Sequence, residues 1–186
     1  MRMLIWHCEK FEYTPTEKAL KDVEDIERRK STFENVLVVL TTIEQEDMEE
    51  MAGIAKEELI SMMKEVGAER ILLYPYAHLA PDLAPPKIAK KILSKIFDEI
   101  KEAGVEVYMA PFGYYKEFTA WVKGHPLAER SRVITKDEVI VARRKGEKRY
   151  LIITPDGKEI EPSRKILKKF PRTFRILVKK EDLGEA

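Results

Sequence analysis

Cysteine is nearly absent from this sequence, which has one, Cys8, in 186 residues. No disulfide can close within the chain, and such a protein fits a reducing cytosol. Cys8 sits in the apolar run MLIWHC, so a small core residue is a simpler reading than a nucleophile. Long hydrophobic runs are missing too. No stretch approaches the ~20 apolar residues of a membrane span, and the N-terminus lacks the basic, apolar, small-residue order of a signal peptide. A cytoplasmic location is therefore expected. The chain also lacks a P-loop, a GxGxxG turn, a GxSxG elbow and an HExxH helix, which removes the phosphate-loop, dinucleotide, serine-hydrolase and zincin templates. His7, His78 and His125 stand singly, and with one cysteine they give no zinc-ligand spacing. No metal and no cofactor is expected, and no internal repeat is found.

What the sequence does hold is the composition of a folded globular protein, 44% hydrophobic and 36% charged, at a length that suits one domain with a small appendage. Its net charge of +1 hides a division. Residues 1–130 carry 18 Lys or Arg against 24 Asp or Glu, a net of −6, whereas residues 131–180 carry 16 against 6, a net of +10. A basic C-terminal third is the kind of surface that meets phosphate backbone, although a solvated lysine-rich face has the same composition.

The element pattern is α/β. Residues 2–8 form a short apolar run and read as a buried strand, whereas residues 9–32, polar and without a clear period, read as a surface loop with at most one helical turn. FENVLVVLTT, residues 33–42, is the strongest strand signal, with the uninterrupted apolar run expected where both faces are covered. Apolar residues recur at helical spacing from Asp47 to Val66, and Gly67 supplies a stop. RILLYPY reads as the next strand. Pro86 opens a second helix with Ile88, Ile92, Leu93, Ile96, Phe97 and Ile100 on one face, ending at Gly104. VEVYMA is then a strand, and later strands return through antiparallel turns. Asp156-Gly157 between YLIIT and KEIEP is a hairpin signal, followed by a short helix at Ser163–Lys169 and a last strand, TFRILV.

Two stretches carry the chemistry. APFGYYKEFTAWVKGHPLAERSR, residues 110–132, crowds two tyrosines, two lysines, a histidine, two glutamates and two glycines around the strand-like FTAWV. Tyr115, Lys116 and Glu129 offer hydrogen-bonding groups, while Gly113 and Gly124 permit close backbone approach. A tight turn followed by an ordinary edge strand accounts for the same residues. The second stretch is LYPYAHLAPDLAPP, residues 73–86. Together YPYAHL, APFGYYK and KGHPLAE resemble the N-terminal editing domain of archaeal threonyl-tRNA synthetases, over residues 1 to about 135 and with the KAL stretch at Lys18–Leu20 in the family's order. Domains are thus expected at 1–135, the editing domain, and 136–186, a basic β-hairpin and linker extension.

The resemblance implies a mixed α/β sheet with two main helices, of the D-aminoacyl-tRNA deacylase-like fold. It also implies hydrolysis of mischarged L-seryl-tRNA(Thr) by a water that the terminal ribose hydroxyl of the tRNA helps to activate, with L-threonyl-tRNA(Thr) spared. Residues equivalent to His78, Phe112, Tyr115, Lys116 and Glu129 line the family's pocket, and all five are present. The implied roles are Lys116 on the seryl group and water, His78 near the adenosine or ordering water, Tyr115 as the excluding wall, and Glu129 orienting Lys116 or its water. Phe112, Gly113 and Ala77 complete the substrate-binding set, and Arg143, Arg144 and Lys145 are the candidate tRNA contacts. Tyr115 and Phe112 as core aromatics, and Lys116 with Glu129 as a surface ion pair, are the plainer alternatives. EFTAWV replaces the family's commoner AFKISC, so Trp121 either narrows the pocket or fills the core. The implied partners are serine-charged tRNA(Thr), the synthetase's catalytic body in cis or in trans, and a second copy in a homodimer. Two other functions fit the fold: a D-aminoacyl-tRNA deacylase, and a non-catalytic tRNA-binding appendage.

Overall fold

The structure, a computed structural model, describes residues 1–146, 152–153 and 159–160, with 144–146 and the two short later segments described by backbone alone. The chain divides into two units, Met1–Ile140 and Val141–Ala186.

In the first unit the central strand is the apolar run read from the sequence. β2 (Ser31–Thr42) pairs antiparallel with β1 (Arg2–Lys18) on one side and parallel with β3 (Arg70–Pro75) on the other, and β4 (Val107–Met109) extends the parallel side. Parallel neighbours need crossovers. These are α1 (Met51–Val66) between β2 and β3, and α2 (Pro86–Glu102) between β3 and β4. Leu37 and Val39 of β2, with Ile71 and Leu73 of β3, pack against Ala55 and Leu59 of α1 and Ile92 and Ile96 of α2. Val36, Val38 and Leu40 point the other way, into a second cluster with Phe11, Tyr13 and Tyr74. β2 is covered on both faces, as its composition required.

β1 departs most from expectation. It runs to Lys18, through residues 9–18 that read as a loop. Phe11, Tyr13 and Pro15 are buried, while Glu12, Thr14 and Thr16 between them are less so. That is a period of two, which the flanking charges obscure. The strand serves both sides of the sheet. Its inner edge meets β2, and its outer edge carries β5 (Tyr114–Val122) along its C-terminal half and β6 (Glu129–Val133) along its N-terminal half, both antiparallel. Pro15 falls beside a register shift in the β1–β5 ladder, a tolerated place for a residue without an N–H.

The helices differ in smaller ways. α1 starts at Met51 rather than Asp47, because the Asp47 carboxylate folds back to accept the Glu44 N–H at 2.7 Å and so holds a turn there. It ends as expected, with Gly67 left-handed at φ 73° and its N–H on the Met63 carbonyl. α2 begins at Pro86 and buries Ile92, Leu93, Ile96 and Ile100, but Ile88 is 44% exposed and Ala89 takes its place inside.

A third helix, α3 (Lys136–Gly146), occupies sequence expected to open a hairpin and linker. The Glu138 carboxylate accepts the Thr135 N–H at 2.8 Å and the Thr135 hydroxyl at 3.3 Å, so the TKDE segment caps the helix start. The strands of the expected hairpin pair further on, β7 (Ile152–Ile153) antiparallel with β8 (Glu159–Ile160), while the expected Asp156-Gly157 turn lies outside the described residues. The helix at Ser163–Lys169 and the strand TFRILV lie outside the described residues.

Candidate functional site

In open α/β sheets the crevice forms beyond the carboxyl ends of parallel strands. β2 and β3 end there together. Thr41 and Thr42 from β2, Tyr74 to His78 from β3 and its loop, and Pro86, Ala89 and Leu93 from the start of α2 line a cavity of about 360 Å³. The far wall is Phe112 to Lys116, and Ala19 and Leu20 close one side. Those two are the KAL segment, held by N–H bonds from Ala19 (2.8 Å) and Leu20 (3.3 Å) to the Gly113 carbonyl.

Glycine is required at that wall. Gly113 has φ 78°, and a Cβ there would stand 2.5 Å from Cγ1 of Val23. Its conformation turns the chain from Phe112 into β5 and aims Lys116 inward. The Lys116 ammonium donates to the carbonyls of Pro111 (3.0 Å) and Tyr114 (2.9 Å) and lies 4.8 Å from the centre of the Tyr74 ring. Tyr74 is itself packed by Phe11, Tyr13 and Phe118. Burial, with no carboxylate to offset it, pushes the Lys116 pKa down to about 8. The third N–H of the ammonium remains for a ligand.

Of the expected site residues, Ala77, His78, Phe112, Gly113, Tyr115 and Lys116 line this one cavity. His78 is exposed, its ring edge-on to Tyr76 at 5.1 Å. Tyr115 is 60% exposed at the rim, so it is not a core aromatic. Glu129 is elsewhere. It opens β6 opposite Trp6, is exposed, and does not line the cavity, while Lys116 faces Pro15, nine residues further along β1. The expected orienting contact between Glu129 and Lys116 is not formed, and neither is an ion pair between them. Trp121 is 66% exposed and neither narrows the cavity nor fills the core. Arg143 is exposed near the end of α3, and the side chains of Arg144 and Lys145 lie outside the described residues. Thr41, Thr42, Tyr74 and Tyr76 were missed as site residues, although their position at the ends of parallel strands marks them.

The KGHP end of the 110–132 stretch builds something different. His7, 2% exposed, and His125 are joined at 2.8 Å between Nδ1 and Nε2, and the Nε2–H of His7 donates to Oδ1 of Asn35 at 2.9 Å. Lys123 donates to the same oxygen at 2.8 Å, and the Asn35 amide donates to the Gly67 carbonyl at the end of α1. Two histidines that look isolated in sequence are thus one structural network, and Asn35, at φ 44°, is a residue type that tolerates that backbone. Burial lowers the His7 pKa, so the folded state favours its neutral form. The unfolded chain binds the proton near the ordinary value of 6.5, and the stability tied to neutral His7 is full above that pH and declines below it. Urea unfolding between pH 7 and 5 should show this loss, and His7→Gln should flatten it; identical pH slopes in the two proteins would rule it out.

Cys8, fully buried with its thiol pushed up to about 12, is an inert core residue. No helix among the described residues is long and apolar enough to cross a membrane.

Comparison with known proteins agrees with the geometry. Residues 1–134 match the archaea-specific editing domain of threonyl-tRNA synthetase. The threonine–tRNA ligase of Thermococcus gammatolerans is 45% identical over 176 residues, covering 87% of this chain and 28% of that protein. That of Hyperthermus butylicus is 40% identical over 193 residues, covering all of this chain and 30% of that protein. The chain therefore spans under a third of these relatives. Among solved structures, a c-Myc DNA unwinding element binding protein superposes with a TM-score of 0.54 at 12% identity, over 73% of this chain and 99% of that one, which speaks for the fold alone. The fold is the expected mixed α/β, D-aminoacyl-tRNA deacylase-like arrangement. With motifs, sheet and family model in agreement, the chain belongs to the archaeal editing domains of threonyl-tRNA synthetase.

Proposed function

We propose that this chain hydrolyses the ester of mischarged L-seryl-tRNA(Thr) and spares L-threonyl-tRNA(Thr). Membership of an editing family supports proofreading of mischarged tRNA in general. The finer choice rests on physics. A threonine site can refuse valine for want of a hydroxyl, but serine differs only by a methyl group, worth about 1–3 kcal/mol, which is too little for translation. A second site must remove the serine.

The observation that carries the reading is the Lys116 ammonium, set against a small cavity with two carbonyl partners, no carboxylate and one free donor. Water adds to the ester carbonyl, negative charge develops on its oxygen, and a fixed ammonium there stabilises it. The carbon–oxygen bond then breaks, and the proton from the attacking water ends on the ribose oxygen. Gly113 and Ala77 let backbone approach the seryl group, Phe112 and Tyr115 wall it against an added methyl, and His78 at the mouth stands by the terminal adenosine. Glu129 has no part in this scheme. Arg143, Arg144 and Lys145 would hold phosphates from the second unit. Joining to a synthetase's catalytic body, and pairing as a homodimer, belong to the same proposal.

The test follows release of serine from L-seryl-tRNA(Thr), with L-threonyl-tRNA(Thr) and a D-aminoacyl-tRNA run beside it. Seryl release faster by at least the ~10-fold that one methyl supplies is expected. Equal rates for the two L-esters would sink the proposal, and turnover confined to the D-ester would assign chiral proofreading instead.

A further inference from the structure

The first unit is acidic overall, yet one of its surfaces is not. From Leu83 to Phe97 the chain holds four lysines and no carboxylate. All four lie on α2, at 87, 90, 91 and 95, a spacing that collects them on one side of a helix. That side faces water. Lys87, Lys90 and Lys91 are exposed and Lys95 is half-buried, while Ile92, Leu93 and Ile96 turn into the core. Only Lys91 has a carboxylate, Glu49 at 2.6 Å; among the described residues Lys87, Lys90 and Lys95 form no salt bridge.

The stripe begins where the cavity ends. Pro86 and Ala89 line the cavity, and Lys87 and Lys90 are the next residue after each, about 100° round the same helix. From position 87 to 95 the stripe then runs about 12 Å away from the rim. Glu49 and Asp98 border the same surface, yet four lysines at that spacing outnumber them, and like charges so placed repel one another and add nothing to folding. Their use lies in a polyanion.

We propose that this face of α2 is the docking surface for the phosphate backbone of the tRNA acceptor stem, the duplex that follows the single-stranded 3′ end whose terminal adenosine enters the cavity. The inference rests on the editing reading for the identity of its partner. About 12 Å of helix axis presents roughly three phosphates per strand, a match to four lysines. The contacts are to backbone, so they fix the stem's position without reading its sequence.

The experiment compares the whole chain with a variant carrying Lys87→Gln, Lys90→Gln, Lys91→Gln and Lys95→Gln. A control carries the same charge change off α2, at Lys10, Lys30, Lys56 and Lys64. Binding of an uncharged acceptor-stem RNA hairpin is followed across a potassium chloride series, and hydrolysis of 3′-O-seryl-adenosine, which has no phosphates, is measured on all three. The α2 variant should bind the hairpin with a log-log salt slope shallower by about 2 to 3 units, the control should keep the slope of the starting protein, and the adenosine ester should be cleaved equally by all. Equal loss in both variants, or loss in neither, overturns the proposal. An altered oligomeric state with RNA binding intact would assign the face to a second copy, which also overturns it. If the starting protein cleaves no seryl ester, the editing reading fails, while the binding series still decides this one.

Discussion

Lys116→Met is expected to lower seryl-tRNA turnover by about 10²–10³-fold, the effect of losing one donor to a developing oxyanion, and to make the protein more stable. The two effects share a cause. An ammonium held at the cavity by two carbonyls and a tyrosine face, without a carboxylate, is a charge kept where solvation is poor. Its pKa near 8 in the folded state, against 10.5 as a free side chain, means that the folded chain binds this proton more weakly than the unfolded one. Stability tied to Lys116 is therefore depressed below pH 8, recovers as the pH rises from 8 to 10.5, and is unaffected beyond. Methionine fills the same space without charge. The variant should gain about 1–3 kcal/mol near neutral pH and lack the alkaline recovery of the parent. Turnover in the parent should decline as the pH climbs through about 8 and the ammonium is lost. Full activity in the variant would remove Lys116 from the site, and a lower melting temperature would remove the account of its burial.

A seryl-tRNA ending in 2′-deoxyadenosine is expected to bind normally and to be hydrolysed about 10²–10⁴-fold more slowly, the range for loss of a general-base contribution. The cavity explains why so much is asked of one hydroxyl. No aspartate or glutamate lines it. The Thr42 hydroxyl is already committed, donating to the Tyr76 carbonyl, and that of Thr41 donates to Val39 at 3.1 Å. Lys116 is largely protonated at neutral pH. Among the described residues His78 is the one remaining candidate base, and it is exposed at the mouth. The substrate's own ribose hydroxyl is the nearest group to the scissile ester. Single-turnover rates at saturating enzyme separate chemistry from binding; undiminished cleavage of the deoxy substrate would transfer the role to His78.

Much of this was legible in the sequence because local signals and tertiary demands coincided. The run NVLVVL had to be a strand covered on both faces, Gly67 and Pro86 punctuate their helices, and the two strands flanking Asp-Gly pair antiparallel. Six of the seven residues expected in the catalytic and substrate sets share one cavity, since they come from two short motifs at the ends of β3 and β4. Glu129 was misplaced by its neighbourhood in sequence. Most of β5 and the loop after it separate it from Lys116, and β6 continues along β1 instead of turning back. β1 beyond Cys8 was hidden by charged residues on its open face, and α3 by its net polarity, although its TKDE cap was readable. The histidine pair was beyond reach because its members stand 118 positions apart.

The arrangement around β1 also sets an order of events during synthesis. Once this strand has left the ribosome, its inner edge finds β2 within some thirty residues. Its outer edge must wait for Tyr114–Val122 and then Glu129–Val133. At about 5–20 residues per second that wait is on the order of ten seconds, during which a long strand rich in aromatics has one unpaired side. The nascent chain is most open to wrong partners in that interval, and it closes when β6 is laid down along Arg2–Trp6.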